Sequence, residues 1–432
     1  MIKIKYLFLG LLMLPLVASA QPKIMPTTHT VTFTYRNDTA KEVVITGSFL
    51  PRKTFWTPAG IFGHDGEAEM TKKNGVWTYT SASLPSEMYT YRFFIDGDDD
   101  RPALDPLNPD TVRDVADFFN FFIIPGNPGS NYLDERIPHG TLTAHWYDST
   151  VPETQRRRLL VYTPSGYEHG GRYPVLYLLH GSGGDETSWS QYGRACQILD
   201  HLIAQKRCVP MIVVMPNGIA DRAAAPGYDP QDKRPVTSKN VESMMGAVER
   251  SFVPDIVNYI DSHYRTLADK DHRAIAGLSL GGLQTLATAA NNPGVFGYVG
   301  LFSAQTTNGL KDKDFKKVKR FTKRMMNLHK NMPFLTKGGL GKKMMGLADD
   351  LHNGDITIYD SIGTKLRRQF AAGVDLYYIA VGRDDFVKKL NDDFRQRLDT
   401  LSLPYTYHET DGGHSWENWR KYLMDFVVRI FK

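Results

Sequence analysis

Cysteine is scarce in this chain: its 432 residues include two, Cys196 and Cys208. A disulfide framework is thereby excluded, and even a single bond is hard to build. The pattern places Cys196 in a helix that runs to about Lys206, with Cys208 just past its end. About twelve helical residues span roughly 18 Å, beyond disulfide reach. Both cysteines read as small core residues, and neither as a nucleophile. Also missing are a G-K-[ST] phosphate loop, a strand-borne G-x-G-x-x-G, an H-E-x-x-H pair and any Cys/His cluster. Those absences argue against nucleotide chemistry and against a catalytic metal, so no cofactor is expected. A long apolar run occurs once, from Tyr6 to Val17, after Lys3 and Lys5 and before Ala18-Ser19-Ala20 and Gln21. That layout is a cleaved secretory leader over residues 1–20, too short to span a membrane. No cysteine follows the cleavage point, so no lipid anchor is indicated. The mature chain is expected to be secreted or periplasmic, without membrane insertion.

Charge is present but unevenly placed. The formal net charge is +5, yet residues 311–345 carry twelve Lys or Arg against two Asp, a local +10 that leaves −5 elsewhere. Basicity belongs to one stretch, and no nucleic-acid partner is expected. About 410 residues beyond the leader exceed one ordinary core, so two domains are expected.

Residues 29–124 read as all-β. Short alternating runs recur at Thr30 to Tyr35, Val43 to Thr46, Val76 to Tyr79 and Tyr89 to Ile95, with turn residues between them at Asn37-Asp38, Asn74-Gly75 and Asp96-Gly97. Regular short strands of this kind suggest a β-sandwich over residues 21–124. Trp77 and Tyr91, at period-two spacing, read as core; Trp56, in a Phe-Trp-Thr-Pro loop, is the better candidate for an exposed stacking platform. Residues 125–131 are a Pro/Gly/Asn linker.

From residue 132 to 432 strands and helices alternate. Arg158 to Tyr162, Val175 to Leu179, Met211 to Met215, Arg273 to Ala276, Gly297 to Phe302 and Leu376 to Val381 read as strands. Helices follow through Leu202, from Glu242 to His263, from Leu283 to Ala290 and from Trp416 to Ile430. Continuous apolar strands between helices mean a mostly parallel sheet covered on both faces.

The most informative segment is Gly277-Leu278-Ser279-Leu280-Gly281, followed by Gly282, where an apolar strand meets a small-residue helix. A G-x-S-x-G turn in that context is the nucleophile elbow of an α/β-hydrolase, so Ser279 is the candidate nucleophile. Acid and base should follow in that order, each just past a strand end. Arg383-Asp384-Asp385-Phe386 follows one strand and Gly412-Gly413-His414-Ser415-Trp416 another. His414 is the candidate base, and Asp385, in preference to Asp384, its orienting acid. Of the thirteen histidines, His408 reads as a strand residue, His263 as a helix-end residue and His180 as a brace for the Gly-rich turn it begins. That turn, His180 to Gly184, is expected to face the nucleophile, with the amides of Ser182 and Leu280 meeting an oxyanion.

The early wording Gly47-Ser48-Phe49, Gly75-Val76-Trp77, Met88 to Tyr91 and Asp105-Pro106-Leu107-Asn108 resembles early-set modules related to carbohydrate-binding module family 48. Tyr173 to Gly184, Trp189, Asp261 to Thr266, the elbow and Gly412 to Trp416 resemble the Putative esterase (esterase D-like) family, and within it carbohydrate esterase family 1. That resemblance implies an α/β-hydrolase preceded by an immunoglobulin-like sandwich. It also implies a serine esterase removing feruloyl or acetyl groups from esterified plant-wall polysaccharide or oligosaccharide. Trp189 and Trp416 are expected near substrate. Alternatives are an enterochelin-type siderophore esterase and a catalytically dead glycan-binding protein. A departure lies around residues 305–365, where the basic stretch interrupts the pattern; a helical lid suited to acidic glycans and a solvated excursion are both open.

Overall fold

The computed structural model describes residues 22–57, 60–151, 154–229, 246–306 and 356–432. The leader, the side chain of Trp56 and the basic stretch 311–345 lie outside the described residues.

Between residues 23 and 123 short strands build, besides a two-stranded sheet of Lys53–Thr57 with Gly60–His64, two larger antiparallel sheets. One runs Lys23–Ile24, Val31–Arg36, Val76–Thr80, Thr71–Lys73; the other runs Thr111–Asp114, Asp117–Ile123, Met88–Ile95, Val43–Gly47, Gly66–Glu69, with Asp98–Ala103 also paired to Met88–Ile95. Period-two alternation sends Val31, Phe33, Ile45, Trp77, Tyr91, Phe93 and Phe122 into one shared core. Trp77 and Tyr91 are therefore core residues, and their polar tips are satisfied there. Trp77 Nε1 donates to the Asn37 carbonyl at 3.0 Å, and the Tyr91 hydroxyl donates to Asp105 at 2.8 Å. The Pro/Gly/Asn stretch that follows is tied down. The Gly129 amide donates to Ser86 Oγ at 2.8 Å, and Tyr132, closing a single 3-10 turn, is fully buried.

The rest of the chain is organised by an eight-stranded sheet: β1 (Thr141–Asp148), β2 (Arg156–Thr163), β3 (Val175–Leu179), β4 (Ile212–Pro216), β5 (Arg273–Leu278), β6 (Tyr298–Phe302), β7 (Leu376–Gly382) and β8 (Thr406–Thr410). Spatial order is β1-β2-β4-β3-β5-β6-β7-β8, with β2 antiparallel to both neighbours and β3 to β8 parallel. β1 was not expected. It is an edge strand with largely accessible side chains, so it lacks the apolar run that marks its buried neighbours.

Helices cover both faces: α1 (Ala195–Ala204), α2 (Ala247–Ser251, Phe252–Val257 and Asn258–His263 in succession), α3 (Leu280–Asn291), α4 (Ile362–Ala371), α5 (Lys388–Thr400) and α6 (Trp416–Val427). The middle part of α2 is wound as a π-helix around Pro254, which has no N–H to give an α-helical bond. Alternate strand residues take opposite sides. Tyr177 and Leu179 pack with Leu283 and Leu286 of α3, while Leu176 and Leu178 pack with Leu199 of α1 and Tyr422 and Phe426 of α6. This order and handling of faces is the α/β-hydrolase fold. It gathers the C-terminal ends of β3, β5, β7 and β8 on one rim. Among the described residues no helix is long and apolar enough to cross a membrane.

Candidate active site

At the end of β5 the chain turns directly into α3, and Ser279 takes the whole bend at φ +53° and ψ −116°. A non-glycine residue there is strained and persists only where its surroundings hold it. The Ser279 amide donates to the Phe302 carbonyl of β6 at 2.9 Å, and its own carbonyl accepts from the amides of Gly282, Leu283 and Gln305. The flanking glycines are required by close approach. A Cβ on Gly277 would lie 2.4 Å from the Gly281 carbonyl oxygen, and one on Gly281 would lie 2.3 Å from the His180 carbonyl oxygen. Leu280 is the first residue of α3, so helix geometry gives its amide no intrahelical acceptor.

The His180 to Gly184 loop after β3 lies against this elbow: a Cβ on Gly181 would come within 3.2 Å of Ser279 Cβ. His180 is buried and braces the loop. Its Nδ1 sits 2.8 Å from the Gly181 carbonyl, and its Nε2 2.8 Å from the Gly218 amide. Nε2 must accept from that amide, so the proton is on Nδ1, and burial lowers the pKa of the ring. A neutral histidine with both nitrogens committed cannot act as a base. Gln284 completes the brace by donating to the Gly218 carbonyl at 2.8 Å.

His414 follows β8 and Asp385 follows β7. The imidazole Nδ1 lies 2.9 Å from Asp385 Oδ1 and 3.1 Å from Oδ2. That bond puts the proton on Nδ1 and leaves Nε2 as the acceptor. Asp384 is exposed, whereas the Asp385 carboxylate is buried and also accepts from the Val387 amide at 3.0 Å. Among the described residues no direct hydrogen bond joins Ser279 Oγ to His414. The two share the rim, and contacts of this kind tighten in complexes with substrate.

Sequence reasoning missed Asn418. It is buried, and its Nδ2 donates to the carbonyls of Asp411 and Gly413 at 3.0 and 2.9 Å, fixing the loop that carries His414. The ring of His414 lies 4.4 Å from Phe386 and 5.0 Å, edge-on, from Trp419. A signal for Asn418 existed only in its place one turn after His414.

Two expectations need correction. Trp189 is 1% exposed, its Nε1 donates to the Leu179 carbonyl at 2.9 Å, and its ring stands edge-on to Trp416 at 5.3 Å. Trp416 is also buried and directs Nε1 to Asp114 Oδ1 at 3.4 Å. Both rings are covered by neighbouring groups and pack against each other. Two further histidines have structural partners. His408 pairs with Asp425 at 3.1 Å, and His263 bonds the Tyr259 carbonyl at a helix end. Burial pushes the thiols of Cys196 and Cys208 up to about 12, so neither forms a ready thiolate.

Comparison with known proteins gives the following. The chain is 32% identical over 269 residues to an endo-1,4-β-xylanase/feruloyl esterase of Xylanibacter ruminicola, covering 60% of this chain and 34% of that protein. It is 28% identical over 266 residues to an esterase of Mycobacterium tuberculosis, covering 59% and 51%. The chain thus spans from about a third to about half of these curated relatives. Among solved structures, the enterobactin esterase of Shigella flexneri superposes over 92% of both chains with a TM-score of 0.55 at 18% identity. A ferulic acid esterase of Anaeromyces mucronatus covers 70% of this chain and 96% of its own, with a TM-score of 0.50 at 19% identity. At such identities these likenesses speak for the fold alone. Residues 150–430 match the model of the family described as Putative esterase, and with well over half of its length inside that match the chain belongs to this family.

Proposed function

We propose that this protein is a secreted serine carboxylic-ester hydrolase that removes feruloyl or acetyl groups from plant-wall xylan. One observation carries the reading: a strained Ser279 shares a sheet rim with a His414 whose proton is fixed on Nδ1 by Asp385. In this scheme His414 Nε2 takes the Ser279 proton as Oγ attacks the ester carbonyl, then returns it to the leaving alcohol. The amides of Leu280 and Ser182 receive the charge on the carbonyl oxygen. Water, deprotonated by the same imidazole, then releases the acid and restores the serine. The xylan assignment rests on the xylanase/feruloyl esterase relative, and export on the leader-like residues 1–20. We read the N-terminal strands as an early-set sandwich whose Trp77 and Tyr91 are spent on its own core.

A second reading, a siderophore trilactone esterase, is favoured by one specific fact: the enterobactin esterase matches the sandwich as well as the hydrolase, over 92% of this chain. Side-by-side hydrolysis of methyl ferulate, acetylated xylan fragments and an iron-free catecholate trilactone separates the two. Faster turnover of the trilactone would replace the xylan reading. Ser279→Ala should lower kcat by on the order of 10⁴-fold or more with folding intact, and retained hydrolysis would mean another nucleophile.

A further inference from the structure

The β-hairpin made by Thr111–Asp114 and Asp117–Ile123 leaves its sandwich and touches both loops of the ester site. Asp114 pairs with Asp117, so Val115 and Ala116 form a two-residue turn, and Val115 adopts φ +57°. Glycine, asparagine or aspartate is the usual occupant of a left-handed turn position, and a β-branched residue is an outlier there. Such strain persists where a side chain is held for another purpose. The purpose is visible next door. A Cβ on Gly183 of the His180 to Gly184 loop would meet Val115 Cγ1 and Cγ2 at 2.8 and 2.9 Å, so the isopropyl group sits flush on that glycine.

Arg113 fixes the same contact from the side. One guanidinium nitrogen donates to the Val115 carbonyl at 2.6 Å, holding the turn, while the other binds the carboxylate of Asp185 and approaches Thr187 Oγ1 at 3.4 Å. Asp185 directly follows Gly184, is buried, and also accepts from the amide and hydroxyl of Thr187 at 2.9 and 2.6 Å. Burial would raise this carboxyl, but the charge of Arg113 and the bonds from Thr187 outweigh it and hold it below the ordinary carboxylate range. The third contact reaches the other loop: Asp114 accepts from Trp416, two residues beyond His414.

We propose that this hairpin tip is a positioning element of the ester site, with Arg113 and Val115 setting the loop that carries the Ser182 amide. The proposal rests on the serine-esterase reading above and goes beyond it: the sandwich holds a loop of the ester site in place, whatever glycan it meets. Arg113 and Val115 touch no reacting atom and act through the loop backbone.

The test uses the full chain and the variants Val115→Gly, Arg113→Ala and Arg113→Lys, with methyl ferulate as substrate. Phenylboronic acid serves as a tetrahedral mimic and free ferulate as a ground-state ligand. Glycine suits the turn, so Val115→Gly should keep or raise Tm while kcat falls about 10-fold and KM stays within twofold, since loosening an oxyanion loop acts on the transition state. Arg113→Ala should lose about 10- to 100-fold in kcat, with part restored by Arg113→Lys. Boronate affinity should fall in step with kcat while ferulate affinity holds. If Val115→Gly and Arg113→Lys are folded and keep kcat and boronate affinity within twofold of the parent, the proposal is overturned, even where Arg113→Ala fails to fold. Ser279→Ala is measured in parallel. Hydrolysis surviving in that variant removes the esterase reading itself, whereas a dead Ser279→Ala beside unchanged hairpin variants removes the positioning role alone.

Discussion

The elbow at Ser279 and the seam between the sandwich and the hydrolase sheet both hold groups in fixed positions, by opposite physical means. The elbow uses shape: glycines let backbone oxygens approach to distances a methyl group would occupy. The seam uses charge removed from water. Arg420 of α6, 1% exposed, reaches Glu87 Oε1 at 3.0 Å and the carbonyls of Met88 and Tyr192 at 3.1 Å each. A site fixed by shape tolerates loss of charge but not added volume. A seam fixed by buried charge tolerates volume-conserving replacement of both partners but not removal of one.

The largest expected effect is therefore at the seam. Arg420→Ala removes the nearest counter-charge of buried Glu87, leaving it the Met88 amide at 2.9 Å and Lys421 Nζ at 4.0 Å, and should cost about 3–5 kcal/mol in chemical denaturation. Replacing both partners, Glu87→Met with Arg420→Met, should recover most of that loss, because two apolar chains of similar volume need no counter-charge. A double variant as unstable as the single one would mean the seam depends on geometry, and the contrast with the elbow would fail. Next comes the elbow. Gly281→Ala sets a methyl against the His180 and Leu179 carbonyls and should destabilise by about 1–3 kcal/mol while removing most esterase turnover. Gly97→Ala is its control. That glycine has φ +75° and open space around it, so the penalty is conformational only, about 1–2 kcal/mol, with kcat unchanged. Equal losses of kcat in the two variants would show that the elbow glycine has no special steric role.

The same contrast explains what could be read from the residues. The elbow turn, the short loops that carry Asp385 and His414 and the parallel strands were legible because each is encoded within a few neighbouring positions. The choice of Asp385 over Asp384 followed from position alone, and the structure supplies the reason in burial and the bond to His414. The seam was not legible. Arg113 meets Asp185 across 72 residues and Glu87 meets Arg420 across 333, and no local pattern marks either partner. Trp189 and Trp416 were misread for a related reason: whether an aromatic ring faces a ligand or a neighbour depends on what packs over it. Here that cover comes from the hairpin and from each other. β1 escaped notice because an edge strand with wet side chains carries little apolar signal.

The smallest expected effect lies at the outer edge of the sheet, where charge is paired but still meets water. Asp425 of α6 accepts from the Tyr378 hydroxyl at 2.8 Å, from Arg429 at 2.8 Å and from His408 Nδ1 at 3.1 Å, linking α6 to β7 and β8. Partial burial would raise its pKa, but the bonds from His408, Arg429 and Tyr378 prevail and hold it well below the usual carboxylate range. A carboxyl depressed in the folded state binds fewer protons there than in the unfolded chain. Its contribution is therefore complete above the unfolded value near 4 and is lost as pH falls through the folded one. Asp425→Asn should cost on the order of 1 kcal/mol at pH 7, discounted for the solvent that screens this group. The gap to the parent should narrow progressively as pH falls from about 4 toward about 2. Denaturation curves that stay parallel across that range would mean the carboxylate is not an acid-sensitive tie. A loss at pH 7 as large as that of Arg420→Ala would mean that exposure does not separate the edge from the seam, and burial would no longer explain why one charge pair matters more than another.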